Sequence, residues 1–132
     1  TFGPRSERNF KKSINKKMKR QALFMALSSK VKDKELLVLD ALNFETPKTK
    51  IATNTLKVLS TKLDGYRESK KKRDSILLIM PSQDKNITRA VNNLPFFETL
   101  SADSLNIKDV LAKKYMILLK EAIPIIEKTF RI

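Results

Sequence analysis

Four cations occupy five positions, Lys16, Lys17, Lys19 and Arg20, just ahead of the apolar run Ala22 to Leu27. If a helix starts here, its N-terminal end carries partial positive charge, which disfavours lysine and arginine and favours anions. Unpaired backbone N–H groups and positive potential together bind phosphate. Cations at such a position destabilise the free protein and are relieved when phosphates arrive. A solvated charge cluster is the plain alternative. The preceding residues favour phosphate: Arg5, Arg8, Lys11 and Lys12 lead into the cluster, and no acidic residue stands between Arg8 and Lys32. Thr46-Pro47-Lys48-Thr49-Lys50 repeats the arrangement more weakly. For Lys48 and Lys50 an ordinary exposed first turn accounts as well as phosphate contact does. Lys70-Lys71-Lys72-Arg73 reads as a solvated loop.

Catalytic chemistry has little to work with. The chain has no Cys and no His, which excludes imidazole- or thiolate-based triads and metal sites. Its two glycines, Gly3 and Gly65, do not lie between a strand and a helix, so no dinucleotide or P-loop fingerprint is present. The carboxylates that follow apolar runs are Asp40, Asp84 and Asp103. Asp84 and Asp103 precede helical segments, where Asp serves as a cap or first-turn anion, and this structural role is preferred over Mg²⁺ ligation or acid–base work.

The 132 residues hold 28 Lys+Arg against 14 Asp+Glu, a net charge of +14. Excess of this size repels itself in the compact state and points to a polyanionic partner. Residues 1–34 carry 11 basic and 2 acidic residues against 17 and 12 in 35–132, so the partner-facing charge sits in the N-terminal quarter. Membrane insertion is disfavoured, because no apolar run approaches the roughly 20 residues of a span. A helix lying on lipid is disfavoured too. At 100° per residue the four cations point to different sides of the axis, and the following residues are apolar nearly all round. The charged end is expected outside and the apolar end buried. Aromatic residues make up 7% of the chain with no Trp, and Tyr66 and Tyr115 are not interleaved with cations. An aromatic stacking platform is therefore not the mode; shape and phosphate recognition of folded RNA fits better.

The elements that must position these residues alternate. Residues 1–14 form a basic extended arm, and 15–132 a single α/β domain. A helix is predicted over 15–33, and a strand at 35–40 buried on both faces, since it is uninterrupted by polar residues. A second helix follows over 45–65, with Thr46 as N-cap, Pro47 at its first position, an apolar stripe of Ile51, Leu56, Leu59 and Leu63, and Asp64-Gly65 as its end. A strand at 75–81, a helix at 84–95, a strand at 96–102, a helix at 104–114, a strand at 115–119 and a closing helix complete the chain, with Pro124 early in the last helix. Such alternation implies a mostly parallel four-stranded sheet with helices on both faces, preceded by the basic arm. Residues 65–74 read as a surface loop.

The stretch FGPRSERNFKKSINKKMKRQALFMALSSK resembles the segment of the bacterial-type ribosomal large-subunit protein L-four family in which that family's long loop rejoins its globular domain. The family's helix has the form K-K-x-x-R-x-A-L-x-x-A-L-S, matched by Lys16, Lys17, Arg20, Ala22, Leu23, Ala26, Leu27 and Ser28. Similar segments follow in the family's order: ELLVLD, TPKTK, DKNITRAVNNLP through Asp84, Asn86, Ala90, Asn93 and Leu94, and ADSLNIKDVLAKKYMILLKEAI. The resemblance covers essentially the whole chain. It starts at the end of the long loop, so the family's N-terminal part and loop tip are expected to be absent. The chain begins at Thr1 rather than Met, which fits a processed protein, a fragment or the ordered part of something longer.

The resemblance implies a structural, non-enzymatic constituent of the large ribosomal subunit that needs no cofactor and no metal. Large-subunit rRNA would be contacted by Arg5, Arg8, Lys11, Lys12, Lys16, Lys17, Lys19, Arg20, Lys48 and Lys50. It further implies neighbouring large-subunit proteins as partners, leader mRNA as a further RNA target through autogenous repression, no membrane and no homo-oligomer. The location would be a cytoplasmic ribosome, with an organellar one left open.

Overall fold

The strands form wherever apolar residues run without interruption. The computed structural model describes residues 2–4, 6–7, 9, 11–63 and 75–131. In chain order the elements are α1 (Lys16–Lys32), β1 (Leu36–Leu39), α2 (Thr49–Ser60), β2 (Ile76–Met80), α3 (Lys85–Val91), β3 (Phe97–Ser101), a 3₁₀ turn (Ala102–Ser104), α4 (Ile107–Ala112), β4 (Tyr115–Leu119) and α5 (Ala122–Phe130). The four strands make one parallel sheet in the order β1-β4-β2-β3. Parallel neighbours need crossover connections, and α2, α3 and α4 supply them. The predicted α/β class, parallel sheet and strand positions are thus what the fold shows.

Period-two alternation along the central strands divides the interior into two cores. Ile76, Leu78 and Met80 of β2 and Tyr115, Ile117 and Leu119 of β4 face one side, where α2 and α3 cover them with Ala52, Leu56, Ile87, Ala90 and Val91. Leu77, Ile79, Met116 and Leu118 face the other side, covered by Leu23 and Ala26 of α1, Val110 of α4, and Ala122 and Ile126 of α5. Helices therefore lie on both faces. Every residue of β2 and β4 is buried, which explains why these strands carry no polar residue.

Three local expectations are corrected. The 35–40 strand is not buried on both faces: β1 pairs only with β4, and as an edge strand it leaves Val38 47% exposed. The second helix starts at Thr49 with Lys48 in the N-cap position, not with Thr46 and Pro47. Of the predicted stripe, Leu56 and Leu63 are buried and Leu59 packs partly buried on the same core, joined by Ala52, while Ile51 is exposed. The helix ends at Ser60 rather than running on to Asp64-Gly65; those two residues and the 65–74 loop lie outside the described residues. Finally, α1 is not buried all round beyond its cations. It buries one face through Leu23, Ala26 and Lys30, while Met25 and Val31 stay exposed, since the sheet meets a helix on one side only.

Lys30 is the unexpected member of that face. Its Nζ donates to Glu35 Oε2 at 2.7 Å and to the Lys114 carbonyl at 2.6 Å, with Lys30 only 9% exposed. The intervening turn closes α1 by a Schellman arrangement. Lys34 adopts a left-handed φ of 57°, the Glu35 N–H bonds to the Lys30 carbonyl, and the Lys34 N–H bonds to that of Val31. This turn brings the Glu35 carboxylate back over the last turn of the helix.

Removing one member of a buried pair strands the other, and the cost follows how deeply the remaining charge is held: the Lys30 side chain is 11% exposed and that of Glu35 22%, so a released Glu35 reaches water more readily than a released Lys30. Glu35→Ala is expected to lower stability by about 2–4 kcal/mol, and Lys30→Met to leave it within about 1 kcal/mol, by urea denaturation at 25 °C. Equal losses in the two variants would contradict this account of the pair.

Candidate nucleic-acid interface

The first turn of α1 has no acidic residue, and its N-cap, Asn15, makes no side-chain capping bond. The first intrahelical bond runs from the Lys19 N–H to the Asn15 carbonyl at 3.0 Å. The amides of Lys16, Lys17 and Met18 therefore have no carbonyl behind them in the helix. Around this end Lys16, Lys17 and Lys19 are exposed and Arg20 is half-buried. Arg20 is anchored: its guanidinium donates to the Arg131 carbonyl at 2.9 Å, tying α1 to the end of α5. Among the described residues the three lysines make no ion pair, and they extend the basic character set up by Lys11 and Lys12, which are also exposed.

Not every predicted cation gathers here. Lys11 and Lys12 lie in a segment without helix or strand, where the Lys11 N–H bonds to Asn9 Oδ1 at 2.9 Å. Arg5 and Arg8 lie outside the described residues. Lys48 and Lys50 open α2, exposed, but α2 packs on the opposite face of the sheet from α1. The two basic helix starts are thus separate features.

One part of the site escaped sequence reasoning. Beside Lys16, Lys19 and Arg20 lies a cleft of about 170 Å³, lined also by Leu23, Leu105, Asn106, Ile107, Thr129 and Phe130. Apart from Leu23 of α1, these residues come from the link before α4, the first residue of α4 and the end of α5, 85 or more positions along the chain from Arg20, and no local pattern marks them.

The carboxylates serve structure. Asp84 caps α3, its Oδ1 accepting from the Asn86 N–H at 2.7 Å. Asp103 does not cap α4; that place belongs to Asn106, whose Oδ1 accepts from the Asp109 N–H at 2.9 Å. Asp103 sits instead in the 3₁₀ turn. Its carboxyl is held below the usual aspartate value, first by the Ser101 hydroxyl, with desolvation opposing and the backbone of Asp103 and Ser104 and the Ser104 side chain lowering it further. Hydrogen bonding to the charged form is sufficient cause. Asp40 lies 3.6 Å from Lys120 Nζ and shares with Asp84 a cavity of about 220 Å³ beyond the ends of β1, β2 and β4. Among the described residues no group of three or more acidic side chains is placed to hold a metal ion, and no helix is long and apolar enough to cross a membrane.

A basic, uncapped helix start on a parallel α/β domain is a feature that related proteins can identify. The family model described as "Ribosomal protein L4/L1 family" matches residues 1–129. The chain belongs to the ribosomal protein L4/L1 family. Among curated relatives, the large ribosomal subunit protein uL4 of Thermoanaerobacter sp. (strain X514) is 36% identical over 129 residues, covering 98% of this chain and 56% of the relative. The uL4 of Halothermothrix orenii is 38% identical over 127 residues, covering 96% and 56%, and that of Brevibacillus brevis 36% over 127 residues, with the same coverage. This L4/L1-family chain thus spans about half the length of the curated relatives it matches.

The α1 start of this L4/L1-family chain is electrostatically mismatched, and the mismatch is measurable without any ligand. Lys16→Glu and Lys17→Glu are each expected to stabilise the free protein by about 0.3–1 kcal/mol at low ionic strength, seen as a raised thermal midpoint that fades with added salt. A lowered midpoint for both would contradict the mismatch.

Proposed function

We propose that this chain is a structural constituent of the large ribosomal subunit, bound to large-subunit rRNA and supporting subunit assembly and translation without catalysis. The observation that carries the reading is the uncapped α1 start with three exposed lysines, in a chain of the L4/L1 family. The chain is read as the family's C-terminal portion: a basic arm over 1–14 at the end of the long loop, then the α/β domain. Arg5, Arg8, Lys11 and Lys12 of the arm and Lys16, Lys17, Lys19 and Arg20 of α1 neutralise rRNA phosphates. Lys48 and Lys50 make a second contact from the other face of the sheet. Neighbouring large-subunit proteins cover other surfaces, the chain works as a single copy on the ribosome, and leader mRNA is a further target of the same basic surface.

Neutralising about six to eight phosphates makes affinity fall by about 10³–10⁴-fold between 50 and 200 mM salt. Reversing Lys16, Lys17 and Lys19 to Glu is expected to reduce affinity for a large-subunit rRNA transcript at least 100-fold by filter binding, with the circular dichroism spectrum unchanged. Undiminished rRNA affinity in that variant would sink the site. The protein is also expected to remain with large subunits through a high-salt sucrose gradient; complete stripping would favour a regulator acting on mRNA outside the ribosome.

A further inference from the structure

Phosphate neutralisation explains the lysines but not what lies beside them. The cleft between α1, α4 and α5 is two-sided in its chemistry. One wall is Lys16, Lys19 and Arg20; the floor is Leu105, Ile107 and Phe130. Its volume of about 170 Å³ is below the roughly 300–1,000 Å³ of small-molecule and cofactor pockets, and suits a single ring system. Arg20 holds the cleft's width, because its bond to the Arg131 carbonyl fixes α1 against the end of α5.

We infer that this cleft receives one unstacked nucleobase of a folded RNA, with the ring against Leu105, Ile107 and Phe130 and the flanking phosphates on Lys16 and Lys19. The inference rests on the rRNA-binding reading and deepens it by naming what the site recognises. A nucleotide carries an apolar-faced ring and an anion in one unit, and that is the pattern the cleft presents. A phosphate alone leaves the apolar floor unused. An apolar side chain of a neighbouring protein would desolvate the cations without neutralising them, which is costly. The sequence shows no platform of several aromatics, but packing brings the single ring of Phe130 to the cleft, and bulges and loops are where folded RNA offers one base free to be splayed out against it.

The surroundings also set the orientation. Both ends of the Asn106 side chain are taken by Asp109, with Oδ1 accepting from its N–H and Nδ2 donating to Oδ2 at 2.6 Å. These two bonds fix the orientation of Asn106, with one Nδ2–H and one Oδ1 lone pair left over, and the Asp109 carboxylate repels phosphate from the α4 side. The backbone of the RNA runs along α1, with the base directed toward α4 and the end of α5.

Two RNA hairpins differing only by a single bulged 2-aminopurine test this. Stacking one base on a protein ring is worth roughly a 5- to 150-fold gain in affinity, so the wild-type chain is expected to prefer the bulged hairpin by a factor in that range. Its 2-aminopurine fluorescence should change on binding. Ile107→Trp fills the cleft and is expected to erase the preference while keeping the salt dependence; Phe130→Ala, which removes the ring without filling the space, should reduce it. Equal affinity of the wild-type chain for both hairpins, or a preference that survives both substitutions, overturns the inference. If the triple lysine reversal still abolishes binding in that case, the rRNA reading stands and only the base pocket falls; if that reversal also has no effect, both fall. Competition by an acidic, apolar-tipped peptide that is lost in Ile107→Trp, with no bulge preference, would assign the cleft to a protein neighbour and overturn the inference.

Discussion

The Lys30 ammonium, held between the Glu35 carboxylate and the Lys114 carbonyl, ties three parts of the chain at one point. Lys30 belongs to the last turn of α1, Glu35 leads into β1, and Lys114 precedes β4. An ammonium removed from water needs both a counter-charge and further acceptors, and this one has them only if α1 meets the sheet in a single orientation. Leu23 and Ala26 fill the same face of the helix, and the lysine adds directional bonds to their packing. At 1.5 Å rise per residue, Lys16 to Arg20 stand about 15–21 Å along the axis from this clamp. With Arg20 bonded to the Arg131 carbonyl as a second tether, the basic end of α1 is displayed on a fixed support.

That support has to be strong because the display is unfavourable. A net charge of +14 opposes compaction, and the opposing term is the double core on either side of β2 and β4. These strands lie at the centre of the sheet although β1 and α2 precede both of them in the chain, since β4 inserts between β1 and β2. Burial on both faces lets two strands of five residues each contribute to both cores. The helices then need to contribute only one face apiece. Polar and basic residues are left to outer faces and helix ends, where they do not compete with the core.

The strands were legible in the sequence because uninterrupted apolar runs such as ILLIM and YMILL leave little else for the chain to do. The helices between them were legible from their apolar spacing, and α3 from Asp84 at its start. Strand order was not legible, since pairing is decided by crossovers between distant segments; the misjudged burial of β1 follows from that alone, as its sequence does not differ in kind from that of a central strand. Lys30 was invisible for another reason. A lysine in a charged stretch reads as solvated, and its burial depends on a left-handed turn at Lys34 that propensity does not favour. Of the candidate site, the α1 cations stood out because they are contiguous. The cleft beside them did not, because Leu105, Ile107 and Phe130 are ordinary core-type residues brought there by tertiary packing.

The two ends of α1 are treated oppositely, and this difference accounts for the misplaced charge. At the C-terminal end Lys30 and Lys32 sit where the helix dipole favours cations, a Schellman turn satisfies the last carbonyls, and Lys30 is bonded in place. At the N-terminal end there is neither cap nor anion, and the dipole opposes every cation present. A helix of 17 residues does not need both ends to hold, because most helical stability in a folded protein comes from the packed face. Once Leu23, Ala26 and the Lys30 clamp have fixed the helix, the N-terminal turn is released from any stabilising duty. Its unpaired amides and lysines are then carried on a backbone already ordered by packing, so that less backbone freedom would be lost if an anion bound there. A flexible basic tail could match the charge, but it could not hold it in register with the cleft between α1, α4 and α5.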